Sequence, residues 1–85
     1  MSDLRIHTLS FTSEFMSVAF SDGRSIDVAL HYFPRLLAAL PAQREHWQLI
    51  GRGLGVHWDA LDEDLSVENI LTAYSRAKAG EHAYA

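Results

Sequence analysis

Cysteine is absent from the chain, which excludes disulfide staples, thiol nucleophiles and thiolate metal sites and fits a reducing compartment. Lysine is nearly absent too: Lys78 is the only one among seven basic residues, set against eleven acids for a net charge of −4. A net acidic domain repels a phosphate backbone, so nucleic-acid binding by this chain alone is disfavoured. No stretch approaches the ~18 consecutive apolar residues of a membrane span. The opening Met1-Ser2-Asp3-Leu4-Arg5 has neither the basic flank nor the apolar run of a secretory signal. The expected location is therefore the cytoplasm, away from any membrane. Repeats, linkers and low-complexity tracts are missing as well. What remains is ordinary globular material, 48% hydrophobic and 11% aromatic over 85 residues. That supports a single domain, residues 1–85, burying roughly 60–65% of the surface its unfolded chain exposes.

The periodicity reads as α+β: a small antiparallel sheet with an N-terminal β-hairpin, a short helix and a C-terminal helix. Strands are expected at about 4–11, 15–21, 25–30 and 53–58. Leu4, Ile6 and Thr8 alternate with Arg5, His7 and Leu9, a mixed signal for the first. Met16, Val18 and Phe20 alternate cleanly with Ser17, Ala19 and Ser21, as Ile26, Val28 and Leu30 do with Ser25, Asp27 and Ala29, and Asp22-Gly23 between them supplies a turn. A strict two-residue turn would set Val18 against Asp27 and Phe20 against Ser25, apolar against polar on both faces. An odd loop of three residues, or a bulge, avoids this, and the expected pairs are Phe20 with Ile26, Val18 with Val28 and Met16 with Leu30. Phe33, Leu36, Leu37 and Leu40 follow helical spacing, with Pro34 in the first turn, giving a helix at about 33–40. Residues 48–58 read as extended but interrupted by Gly51, Gly53 and Gly55. Ser66 is the candidate N-cap of the last helix, about 67–79, with Leu65 and Ile70 as a hydrophobic staple and Gly80 placed to stop it.

Four groups of residues could carry chemistry. Gly51-Arg52-Gly53-Leu54-Gly55 lacks the last glycine of a dinucleotide fingerprint and precedes a strand rather than a helix, so a bulge or close backbone approach is the favoured role. Asp59, Asp62, Glu63, Asp64 and Glu68 form an acidic run with no intervening base. Carboxylates before a helix N-terminus favour its dipole, but the same run suits a basic partner. A calcium loop is not matched, because its spacing and distal Glu are missing. His57 near Asp59 has the look of a base and its orienter, yet no nucleophile accompanies it. Trp47 and Trp58 are core-sized, although tryptophan is also enriched at interface hot spots.

The stretches Val18-Ala19-Phe20-Ser21-Asp22-Gly23-Arg24, Tyr32-Phe33-Pro34-Arg35-Leu36 and Gln43-Arg44-Glu45-His46-Trp47-Gln48-Leu49-Ile50-Gly51 resemble a bacterial family known as domain of unknown function 2442. The most specific segment is Gly53-Leu54-Gly55-Val56-His57-Trp58-Asp59-Ala60-Leu61-Asp62-Glu63-Asp64-Leu65-Ser66-Val67. It departs from the family pattern at Asp59, where proline is usual, and at Val56 and Leu65, which replace isoleucines. The resemblance spans residues 4 to about 75. It implies a small α+β fold without established catalytic residues. It also implies membership of toxin–antitoxin-like gene pairs, on the antitoxin side, and hence a small basic toxin-like protein encoded nearby as partner.

The leading expectation is a non-catalytic, antitoxin-like protein-interaction module without cofactor or metal. Its partner-binding residues are expected to be Trp58, Asp59, Asp62, Glu63, Asp64, Tyr32 and Arg35: acids steer a cationic partner and aromatics anchor it. A homodimer is compatible, because a short sheet has edges that need cover. Two alternatives stand beside it. One is a nucleic-acid-binding transcriptional regulator using Arg35, Arg44 and Arg52. The other is a metal-binding protein or enzyme built on residues 57–64.

Overall fold

The computed structural model describes residues 4–84. Two three-stranded antiparallel meanders are joined by short helices and followed by one long helix. The first comprises β1 (Ile6–Phe11), β2 (Phe15–Phe20) and β3 (Ser25–Ala29). A 3₁₀ turn at Leu30–Tyr32 leads into α1 (Pro34–Ala38) and α2 (Pro41–Arg44). The second meander comprises β4 (Trp47–Ile50), β5 (Gly55–Trp58) and β6 (Glu63–Ser66), with a 3₁₀ turn at Gly51–Gly53 between β4 and β5. Helix α3 (Val67–Tyr84) closes the chain. The α+β class is as expected.

In β1 the mixed pattern resolves into a bulge. Ile6 pairs with Phe20, whereas Thr8 pairs with Ala19, so the register slips by one at His7. A one-residue slip exchanges the faces of a strand, and both Ile6 and Leu9 become buried despite their odd spacing.

The β2–β3 loop is odd and three residues long, Ser21-Asp22-Gly23, closed by Phe20 N–H to Arg24 O at 2.8 Å. The expected partners, however, are displaced by two. Val18 faces Ile26 and Met16 faces Val28, because the three-residue loop is centred on Asp22 rather than Gly23 and pairs Phe20 with Arg24. A shift of two keeps apolar residues on the same face. Leu30, freed from pairing with Met16, is fully buried at the head of the 3₁₀ turn. Gly23 adopts φ +95°, the left-handed geometry this loop type requires.

The second meander departs furthest from expectation. The proposed strand at 53–58 is shorter, and β4 and β6 were not expected as strands. Gly53, at φ +89°, lies so close to β1 that a Cβ there would be 2.7 Å from the Ile6 carbonyl oxygen, the close backbone approach foreseen for this glycine run. Residues 59–62 form a four-residue hairpin loop, with Asp62 at φ +51°, a conformation aspartate tolerates better than most residues.

Helix α3 begins as anticipated. Asn69 N–H donates to Ser66 Oγ and Ser66 N–H donates to Asn69 Oδ1, each at 3.0 Å, a reciprocal cap. The helix does not stop at Gly80 but runs on to Tyr84. Glycine lowers helical stability by only about 1 kcal/mol and ends a helix only when it turns left-handed. Ala85 lies outside the described residues. One buried cluster draws on both meanders and the helices, including Ile6, Leu9, Met16, Val18, Leu36, Val56, Trp58 and Ile70. Each ~40 Å² of apolar surface it removes from water is worth about 1 kcal/mol.

Candidate functional site

Strand β5 sorts its side chains by alternation: Val56 and Trp58 point into the core, and His57 points out. Trp58 is 0% exposed. Its indole N–H donates to the Arg44 carbonyl at 2.9 Å, and Phe11 meets it edge-on at 6.5 Å. A residue so enclosed offers nothing to a partner, so the expectation of Trp58 as a docking anchor is corrected: it is core. Arg44 is buried beside it and spends its guanidinium on the α1 carbonyls, Nε to Leu36 at 2.7 Å and Nη2 to Leu37 at 2.9 Å. That removes one of the three arginines nominated for phosphate contact.

The outer face of the second meander carries a polar rung, since pairing aligns Gln48, His57 and Asp64 across the three strands. His57 Nδ1 contacts the Asp64 carboxylate, and Nε2 lies 3.1 Å from Asp59 Oδ1. Hydrogen bonding to Asp64, and secondarily to Asp59, holds the imidazole pKa above its ordinary value. Each ring nitrogen therefore already faces a carboxylate. The two acids sit at different nitrogens and so diverge instead of converging on a common point. Among the described residues, no group of three His, Cys, Asp or Glu side chains is arranged to hold an ion.

Arg35 reaches from α1 to the same loop. Its Nη1 donates to the carbonyls of Leu61 at 3.2 Å and Asp62 at 3.3 Å, while its Nε is 4.0 Å from Glu63 Oε1. Three of the five nominated acids (Asp59, Asp64 and Glu63) thus face cationic or protonatable groups of the chain itself. The Asp62 carboxylate and Glu68 are exposed, and no side-chain partner engages them among the described residues. Tyr32 is half-buried against His31 and lines a 390 Å³ hollow over α3 with Asn69 and Arg76. It does not share a recess with Asp59, which lines a separate hollow beside His46 and Gln48. The expected site therefore divides: Asp59, Asp62, Glu63, Asp64 and Arg35 gather at the β5–β6 turn, Tyr32 stands apart, and Trp58 is inside.

One surface was not foreseen. Leu49, Ile50 and Leu54 are 37%, 43% and 48% exposed. Ile50 lies over Gly55, where a Cβ would come within 3.2 Å of its Cγ1. Leu54 borders a groove of about 460 Å³ lined also by Leu4, Ser66, Val67, Glu68 and Leu71. A smaller recess joins Ile50 and Leu54 to Asp64 and Asn69. The sequence held a clue, since adjacent apolar residues in a strand face opposite sides and Leu49-Ile50 cannot both turn inward.

Comparison with known proteins adds the family. The model of a family described as "protein of unknown function (DUF2442)" matches residues 6–75. This chain belongs to that family. No curated protein matches it. The DUF2442 fold seen here is also that of a solved structure, a protein of unknown function from Rhodospirillum rubrum ATCC 11170. It is 23% identical, with 84% of this chain and 88% of that chain covered and a TM-score of 0.72. In this DUF2442 member the most specific motif, Gly53 to Val67, maps onto β5, the acidic turn and β6. Asp59 supplies the carboxylate at His57 Nε2.

Proposed function

We propose that this protein is a non-catalytic interaction module of the cytoplasm that binds a basic protein, in the antitoxin-like role its family resemblance implies. The docking face is built by β4, β5, β6 and the first turn of α3. The observation carrying this reading is the grouping of exposed Ile50 and Leu54 beside the carboxylates of Asp64 and Glu68. Apolar side chains at the centre of such a face supply affinity, and the surrounding acids steer a cationic surface into place.

The test is co-expression with the protein encoded beside it. Ile50→Asp with Leu54→Asp is expected to abolish co-purification while leaving the melting temperature nearly unchanged, because both side chains are exposed. Unimpaired co-purification of that double variant would sink the proposal. The outer edge of β4 also fits a second copy of the chain, since edge strands invite pairing. Sedimentation at rising concentration distinguishes the two occupants.

A further inference from the structure

A neutral imidazole carries one N–H, whereas an imidazolium carries two. His57 has a carboxylate at each nitrogen, so only the protonated ring can donate to both. We propose that His57 is a proton-operated clasp on the Asp59–Asp62 turn: protonated, it holds Asp64 and Asp59 together, and deprotonated, it keeps Asp64 and releases Asp59.

The asymmetry follows from where the two acids stand. Asp64 lies directly across the β5–β6 ladder from His57, and the ladder fixes its position. Asp59 sits on the turn with a side chain 87% exposed, and water readily replaces the imidazole as its partner. When the proton leaves for solvent, the remaining N–H stays on Nδ1 towards Asp64. The bare lone pair of Nε2 then confronts the Asp59 carboxylate, and lone pair against anion is repulsive.

The surroundings do not substitute for the lost contact. From β4 the neighbour across the strand is Gln48, which carries no charge. From α1, Arg35 grips the carbonyls of Leu61 and Asp62 and approaches Glu63, so it pins the far half of the turn and not Asp59. His46, exposed at the start of β4, lines the same shallow hollow as Asp59 and is the other titratable group on that side. The near half of the turn is thus the half that the proton controls. The raised pKa of His57 agrees with this arrangement, since both carboxylates favour the charged ring. If the docking face proposed above is correct, deprotonation frees an additional carboxylate at the other end of the same sheet, adding to the field that steers a cationic partner, which binds better at higher pH.

The experiment is a pH titration of the full chain by NMR, reading the imidazole nitrogens of His57 and the backbone amides of residues 59–62. The expected midpoint lies above the ordinary histidine value near 6.5, and above it the nitrogen shifts report the Nδ1–H tautomer. The amides of Asp59 and Ala60 should move with that same midpoint. Asp64→Asn and Asp59→Asn should each lower the midpoint, the first by more. A midpoint at or below the ordinary value, or an Nε2–H tautomer, overturns the clasp. A second arm titrates a ten-residue lysine peptide into the protein on either side of the midpoint. Binding should be about two- to fivefold tighter on the high-pH side, the scale of one exposed ion pair, and His57→Gln should erase the difference. A tautomer-specific titration with no peptide binding at either pH sinks the docking reading and leaves the clasp intact. Peptide binding of equal strength at both pH values, without the Nδ1–H tautomer, does the reverse.

Discussion

The two meanders share one topology and use it differently. In β1–β3 the inward row of Ile6, Leu9, Met16, Val18, Phe20 and Val28 is buried, and the polar residues between them are the ordinary solvated face of a half-buried sheet. In β4–β6 the only buried side chains larger than glycine are Val56, Trp58 and Leu65, while Leu49 and Ile50 remain exposed and the rung of Gln48, His57 and Asp64 faces outward. The first meander makes core. The second is held against that core by a few specific contacts, and its outer face is left to carry polar and apolar groups that stability does not require. Interaction surfaces arise where packing has stopped dictating residue identity, and here that is the second meander.

Substitutions can break or sharpen this contrast. The largest effect is expected at Trp58, the chief link between the second meander and the core. Trp58→Ala should destabilise by about 3–5 kcal/mol in urea unfolding, much of what a domain at roughly 0.05–0.15 kcal/mol per residue possesses. A loss below about 1 kcal/mol would mean that the second meander is not anchored there. Next comes the glycine pair. Gly53→Ala forces a left-handed alanine against the Ile6 carbonyl, whereas a Cβ at Gly23 meets nothing within 4 Å. Both glycines have positive φ, so each substitution carries a backbone cost of about 1–3 kcal/mol, and the clash with Ile6 should make Gly53→Ala exceed Gly23→Ala in the same assay. Equal losses would deny the close docking of the Gly51–Gly53 turn on β1.

Loss of the α3 cap by Ser66→Ala should follow at about 1 kcal/mol, read as a shift in the thermal midpoint. Smaller again is the pH effect. Because the folded state raises the His57 pKa, the stability this histidine contributes is fully present below its unfolded value and fades as pH rises through the folded one. Stability measured across that window should decline in the wild type and flatten in His57→Gln. Smallest of all, Ile50→Ser and Leu54→Ser should stay within about 0.5 kcal/mol of wild type. A large loss at either would show that this face is structural.

The first meander was legible because its strands bury one face and so alternate. Met16-Val18-Phe20 and an odd loop about Asp22-Gly23 could be read directly, although the pairing partners were misplaced by two. The mixed pattern of β1 is explained by the bulge at His7, which no local propensity announces. In β6, Leu65 is the single buried residue among four, and one apolar residue sets no period. The acidic stretch accordingly read as a loop. The site was partly legible for the same reason: the acids and His57 were visible as residue types, but His57 was placed beside Asp59 alone, since Asp64 reaches it only through strand pairing. Trp58 could be assigned to either core or surface until the Arg44 carbonyl supplied its indole with a partner.

Alternation, turn residues and the Ser66 cap by themselves determined the α+β class, the first hairpin and the start of the last helix, because each depends on neighbours a few residues apart. Tertiary structure alone decided that Trp58 is enclosed, that Arg35 and His57 engage the acidic turn, and that Leu49, Ile50 and Leu54 stay outside. Those outcomes depend on groups up to tens of residues distant, and it is packing, not periodicity, that brings them within bonding range.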